Sequence, residues 1–81
     1  MDSTTVKLTY PIFIDGRELN ELNLRRPKVR DRLTVEKMAG SEAEKEIRFI
    51  ANLCEVAPSD IEELDMADYA RVQDALASFL S

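Results

Sequence analysis

The spacing of hydrophobic positions changes along the chain, and each change predicts a different element. Val6, Leu8, Tyr10, Ile12 and Ile14 share one parity, the two-residue period of a strand with one buried face. Asp15-Gly16 follows, a strong hairpin signal because a type I′ turn requires positive φ at both central residues. The return strand runs from Arg17 to about Arg25, so a β-hairpin is expected over about residues 5–25. Its phase slips. With the turn at Asp15-Gly16, Ile12 faces Leu19, but Leu22 and Leu24 then fall on the wrong side. One extra residue near Asn20-Glu21 restores the phase, setting Leu22 against Tyr10 and Leu24 against Leu8, and predicts a β-bulge in the return strand. Pro11 has no amide to give a ladder, so the first strand is expected to be an edge or to break at that point.

From Pro27 onward the period is helical. Val29, Leu33 and Met38, with Val35 and Ala39 alongside, predict a helix over about residues 28–39, ended by Gly40. Ser41 with Glu44 three residues later is a capping box. Behind it Ala43, Ile47, Ile50, Ala51 and Cys54, widened by Phe49 and Leu53, predict a second helix over about 42–55. Pro58-Ser59-Asp60 opens a short turn over about 59–64. Asp65 then caps a last helix, about 66–80, with the stripe Tyr69, Val72, Leu76 and Leu80 and with Phe79 beside it. The fold class is α+β: an N-terminal hairpin, then a small bundle of three helices plus one short helical turn. No repeat or linker divides the 81 residues, which are expected to form a single domain over 1–81.

Composition narrows the chemistry. With no His and one Cys, no Ser-His-Asp or Cys-His arrangement, Cys/His zinc site or internal disulfide can be built from this sequence. The two glycines are accounted for as turn and cap, which leaves no phosphate-cradling loop. An enzyme is not expected, nor a cofactor or metal. Apolar runs of about three residues are far short of a bilayer span, so no membrane association is expected. Met-Asp-Ser-Thr-Thr has neither the basic region nor the apolar core of a signal peptide.

The net charge of −5 conceals an asymmetry: residues 1–40 hold eight Lys/Arg against six Asp/Glu, residues 41–81 three against ten. Arg25, Arg26, Lys28, Arg30 and Arg32 make a basic hinge between hairpin and helices, opposed there only by Asp31. The hinge could contact phosphates, but it has no interleaved aromatics and the acidic half works against it. The acidic run Asp60, Glu62, Glu63, Asp65 and Asp68 has no EF-hand spacing; Asp60 and Asp65 are expected to serve helix N-termini and the others to face water. Cys54, on the apolar side of its helix, reads as packing. Phe13 points away from Ile12 and Ile14, to the hairpin face that so few helices leave uncovered, and residual apolar surface there suits self-association or a partner helix.

The ordered residues also carry a resemblance. Pro11-Ile12, Asp15-Gly16-Arg17-Glu18-Leu19, Glu21-Leu22-Asn23-Leu24-Arg25, Pro27 and Val29 open a pattern that continues with Glu36-Lys37-Met38-Ala39-Gly40, Glu44 and Glu46. It ends with Val56, Pro58, Asp60, Ile61, Leu64-Asp65, Asp68-Tyr69-Ala70-Arg71-Val72-Gln73, Ala75-Leu76 and Phe79-Leu80. From about residue 6 to residue 80 the set resembles the tail assembly chaperones of P2-like and Mu-like contractile-tailed phages, with Lys28 and Arg30 making the hinge more basic than the family pattern. The resemblance implies a non-enzymatic role in the host bacterial cytoplasm: binding the tape measure protein and keeping it soluble while the tail tube assembles, then absence from the mature virion. It further implies that this is the short form beside a frameshifted longer form of itself, also a partner, with homo-oligomer formation left open. The alternative function is a small nucleic-acid-binding regulator using the basic stretch 25–32. The candidate partner-binding residues are Phe13, Arg25, Arg26, Arg30 and Arg71.

Overall fold

The computed structural model describes residues 3–80. Its elements are β1 (Ser3–Ile14), β2 (Arg17–Arg25), α1 (Val29–Glu36), α2 (Glu42–Cys54), α3 (Pro58–Ile61) and α4 (Met66–Phe79). The antiparallel hairpin followed by helices is the α+β arrangement that the spacing predicts. Asp15 and Gly16 both have positive φ, 51° and 78°, as the tight turn between the strands requires.

The phase slip is real, but its location differs from the expectation. Val6 lies opposite Leu22 and Lys7 opposite Glu21; beyond the interruption, Ile12 lies opposite Leu19 and Ile14 opposite Arg17. Between these stretches β1 carries Leu8–Pro11 where β2 has Asn20 alone, so the extra residues belong to β1 rather than to Asn20-Glu21. Leu22 and Leu24 accordingly face Val6 and Thr4, not Tyr10 and Leu8. The physical reason is Pro11. It removes a donor from β1, so irregularity costs least where the ladder is already incomplete. An odd excess of residues then brings Leu19 on one side of the bulge and Leu22 and Leu24 on the other into phase with the core. Tyr10, inside the bulge, leaves the inner face and is exposed, while Val6, Leu8 and Ile12 stay buried.

The helices cover that inner face. Leu24 of β2, Ile50 and Ala51 of α2 and Val72 of α4 have no solvent exposure, and Val6, Leu8, Ile12, Leu22, Ile61 and Leu64 complete the cluster. Full burial of each aliphatic side chain contributes roughly 1.5–3 kcal/mol. A two-stranded ribbon is marginal by itself, so this helical layer is what stabilises the hairpin.

Local capping explains where the helices begin. Ser41 and Glu44 exchange reciprocal hydrogen bonds at the start of α2, Glu44 N to Ser41 Oγ at 3.2 Å and Ser41 N to Glu44 Oε1 at 2.8 Å. Asp60 accepts from Ala57 N, and Asp65 caps α4 by accepting from Ala67 N. At its other end α2 closes with Glu55 in the left-handed region, φ 59°, and Val56 N donating to Ala51 O at 3.0 Å.

The first helix departs most from expectation. It ends at Glu36, short of the predicted residue 39, and the stripe of Val29, Leu33 and Met38 does not face the core. Val29 is 80% exposed and Leu33 55%. The inward residues are Asp31 and Val35, one turn apart. Asp31 sets this rotation, because its carboxylate accepts two hydrogen bonds from Arg25 at the end of β2, at 2.8 and 2.9 Å, and one from Lys28 N at 2.8 Å. Val35 follows it inward.

Candidate partner-binding surface

The basic hinge resolves into two kinds of cation. Arg25 is bound face to face with Asp31, and this hydrogen bonding holds the Asp31 carboxyl down at about 2. Arg26 stacks over the Phe79 ring, 5.7 Å from its centroid, and donates to the Phe79 carbonyl. Lys28, Arg30 and Arg32 make no ion pair among the described residues. Arg25, Arg26, Pro27, Lys28 and Arg30 line one depression of about 550 Å³.

Beside it, α1, the start of α2 and the end of α4 enclose a groove of about 510 Å³. Its apolar surface comes from Pro27, Val29, Val35, Phe49 and Leu80, with Lys28 and Arg32 on one lip and Glu36, Glu42 and Glu46 on the other. Two of the three acids on that lip are occupied from within. Lys45 lies 3.6 Å from Glu36, and Glu46 Oε1 accepts from Tyr69 Oη and from Gln73 Nε2. Burial, and then the Glu46 contact, push the Tyr69 phenol well above its ordinary range, so it stays a donor.

Arg71 lies elsewhere, at the β1 bulge. There the Asp68 carboxylate accepts from the amides of Thr9 and Tyr10 at 3.0 Å each, and Arg71 Nη2 donates both to Asp68 Oδ1 and to Thr9 Oγ1. Burial opposes ionisation of Asp68, but the two amides and Arg71 outweigh it and hold the carboxyl below its usual range. Asp68 is therefore a fully buried structural anchor, not one of the acids facing water. Its two oxygens satisfy the amides that the bulge frees.

Of the candidate residues, Arg25, Arg26 and Arg30 share one depression, Phe13 is exposed on the hairpin, and Arg71 belongs to the bulge. Arg25 and Arg71 spend their hydrogen-bonding capacity within the chain. Val29, Leu33 and Leu80 also belong to this surface although helical spacing alone places them in the core, and Arg32 of the basic hinge joins them at the groove. The available signal was Asp31: an acid six residues after Arg25 marks which face of α1 turns toward the strand end.

Burial raises the Cys54 thiol to about 11, so it packs as a neutral side chain. Among the described residues no cluster of three or more His, Cys, Asp or Glu is placed to hold a metal ion, and no helix is long and apolar enough to cross a membrane.

The family described as "Phage tail assembly chaperone proteins, E, or 41 or 14" matches residues 5–81. The chain belongs to that family. The match takes in the hairpin and all the helices, so the groove and the bulge anchor both lie within the chaperone domain pattern. Chaperones of this family are not an enzyme class. No curated protein and no solved structure matches the chain.

Proposed function

We propose that this tail assembly chaperone binds the tape measure protein and keeps it soluble while tail tube subunits polymerise, acting in the host bacterial cytoplasm and leaving before the virion is complete. The observation that carries the reading is the apolar surface of α1 and the α4 end in a chain of this family: Val29, Leu33 and Leu80 are all more than half exposed. Such surface suits a long helical client better than a small substrate. Repeated weak engagement along that client would give a strong combined effect without any catalytic group. The net charge of −5 would keep crowded copies apart in solution. A frameshifted longer form and self-association remain part of the proposal, as does kinship with P2-like and Mu-like phages.

Co-expression tests it. The tape measure protein should move from the insoluble to the soluble fraction with this chain present and co-purify with it, while mass spectrometry of purified virions should find none of the chain. Equal insolubility with and without the chain would refute the chaperone reading. A stoichiometric amount in virions would make it a tail subunit instead.

A further inference from the structure

Val29 and Leu33 lie one turn apart on the outer side of α1, and at 100° per residue Arg30 and Arg32 flank them on opposite sides. Lys28 precedes the helix, and none of these three cations is in an ion pair among the described residues. Leu80, exposed at the end of α4, lines the same groove as Val29. The result is an apolar stripe between unpaired positive charges, in a protein whose overall charge is negative.

We propose that the outer face of α1, from Leu33 to Val29 and on to Leu80 across the groove, takes an acidic amphipathic helix. Its apolar residues, recurring at helical spacing, lie on Val29, Leu33 and Leu80, and its flanking carboxylates pair with Lys28, Arg30 and Arg32. The proposal rests on the tape-measure reading and adds to it the docking site and the charge of the client segment. A helix fits because the walls are themselves helices, whose backbone groups are bonded internally and offer no strand edge to extend. An acidic one fits because three cations, Lys28, Arg30 and Arg32, make no ion pair among the described residues. On the opposite lip Glu36 and Glu46 have partners in Lys45, Tyr69 and Gln73, and only Glu42 makes no ion pair among the described residues. The charge preference should act mainly through encounter and orientation, the apolar contacts through residence time.

The test uses two labelled helical peptides of about 18 residues with identical leucine stripes, one flanked by Glu and one by Lys, titrated against the full chain at about 0.15 M salt. The Glu peptide should bind about tenfold or more tightly than the Lys peptide, and Arg30→Glu/Arg32→Glu should narrow or reverse that ratio. Val29→Ser/Leu33→Ser should weaken the Glu peptide about tenfold while leaving the thermal midpoint within about 2 °C of the parent, since both positions are solvent-exposed. Equal affinity for the two peptides, binding of neither, or indifference to Val29→Ser/Leu33→Ser would overturn the proposal. Two further outcomes would also overturn it: salt-sensitive binding of a DNA duplex at least as tight as that of the Glu peptide, or a stable dimer that the serine pair dissociates. Failure here alongside successful co-expression would leave the chaperone reading standing and move its client to another surface.

Discussion

Two helices in this protein begin alike and end differently. Both α1 and α4 bury an aspartate in the first turn, Asp31 and Asp68, and each carboxylate is held by an arginine and by backbone amides. In α4 the anchor and the apolar stripe point the same way, so Val72 is buried and Tyr69 and Leu76 pack against the core. In α1 the anchor turns Val29 and Leu33 outward. The contrast shows that a buried charge can outrank hydrophobic spacing in fixing a helix's rotation. The cost of leaving Asp31 unpaired would be several kcal/mol, against roughly 1.5–3 kcal/mol for burying one aliphatic side chain. One helix is thereby committed to the fold and the other left to display its apolar residues.

The sharpest way to break this contrast is to remove the deeper anchor. Asp68→Asn should cost about 3 kcal/mol in urea denaturation, because Thr9 N and Tyr10 N donate to different oxygens, so the new NH2 group would face one of these donors, and the neutral side chain no longer balances Arg71. Asp31→Asn should cost less, about 1–2 kcal/mol, since its Arg25 partner is partly solvated. It should also loosen α1, visible as faster amide exchange over Val29–Glu36 than over α4.

Acid offers a graded version of the same comparison. Both carboxyls are held below their ordinary range, so the unfolded chain binds more protons than the folded one in acid. Their contribution should be complete above about pH 4 and lost as pH falls toward about 2, where folded Asp31 protonates. In Asp31→Asn the slope of stability against pH over that window should be shallower than in the parent.

Smaller effects sharpen the contrast from the other side. Glu55 holds a left-handed conformation at the end of α2, so Glu55→Gly should stabilise by about 0.5–1 kcal/mol in the same denaturation experiment. Val29→Ser/Leu33→Ser should change stability by no more than about 0.5 kcal/mol, although the same exchange at Val72 or Ile50 would leave a polar group in the core.

Much of the architecture was legible in the residues because it depends on neighbours in sequence. The Asp15-Gly16 turn, the Ser41–Glu44 box and the Asp65 cap each place a donor and acceptor within a few positions, and the α2 stripe repeats over three turns. What was not legible depends on distant partners. An acid three positions after the N-cap folds back on the N-cap amide in α1, α2 and α3, through Asp31, Glu44 and Asp60. Asp68 occupies the same position in α4, yet reaches β1 nearly sixty positions away. No local rule separates these cases. Likewise the phase slip between Leu19 and Leu22 announces an odd excess of residues, but only Asp68 and Pro11 together decide that β1 carries it. The candidate surface was half visible: its cations were apparent, its apolar stripe was assigned inward.

The outer face of α1, joined by Leu80 just past the end of α4, is displayed for a client, while the stripe of α4 itself is committed to the core. Co-expression of the tape measure protein with the parent chain and with Val29→Ser/Leu33→Ser tests it most directly. The parent should bring the tape measure protein into the soluble fraction, and the serine pair, folded and equally abundant, should lose most of that effect. A serine variant that solubilises the tape measure protein as well as the parent would contradict it.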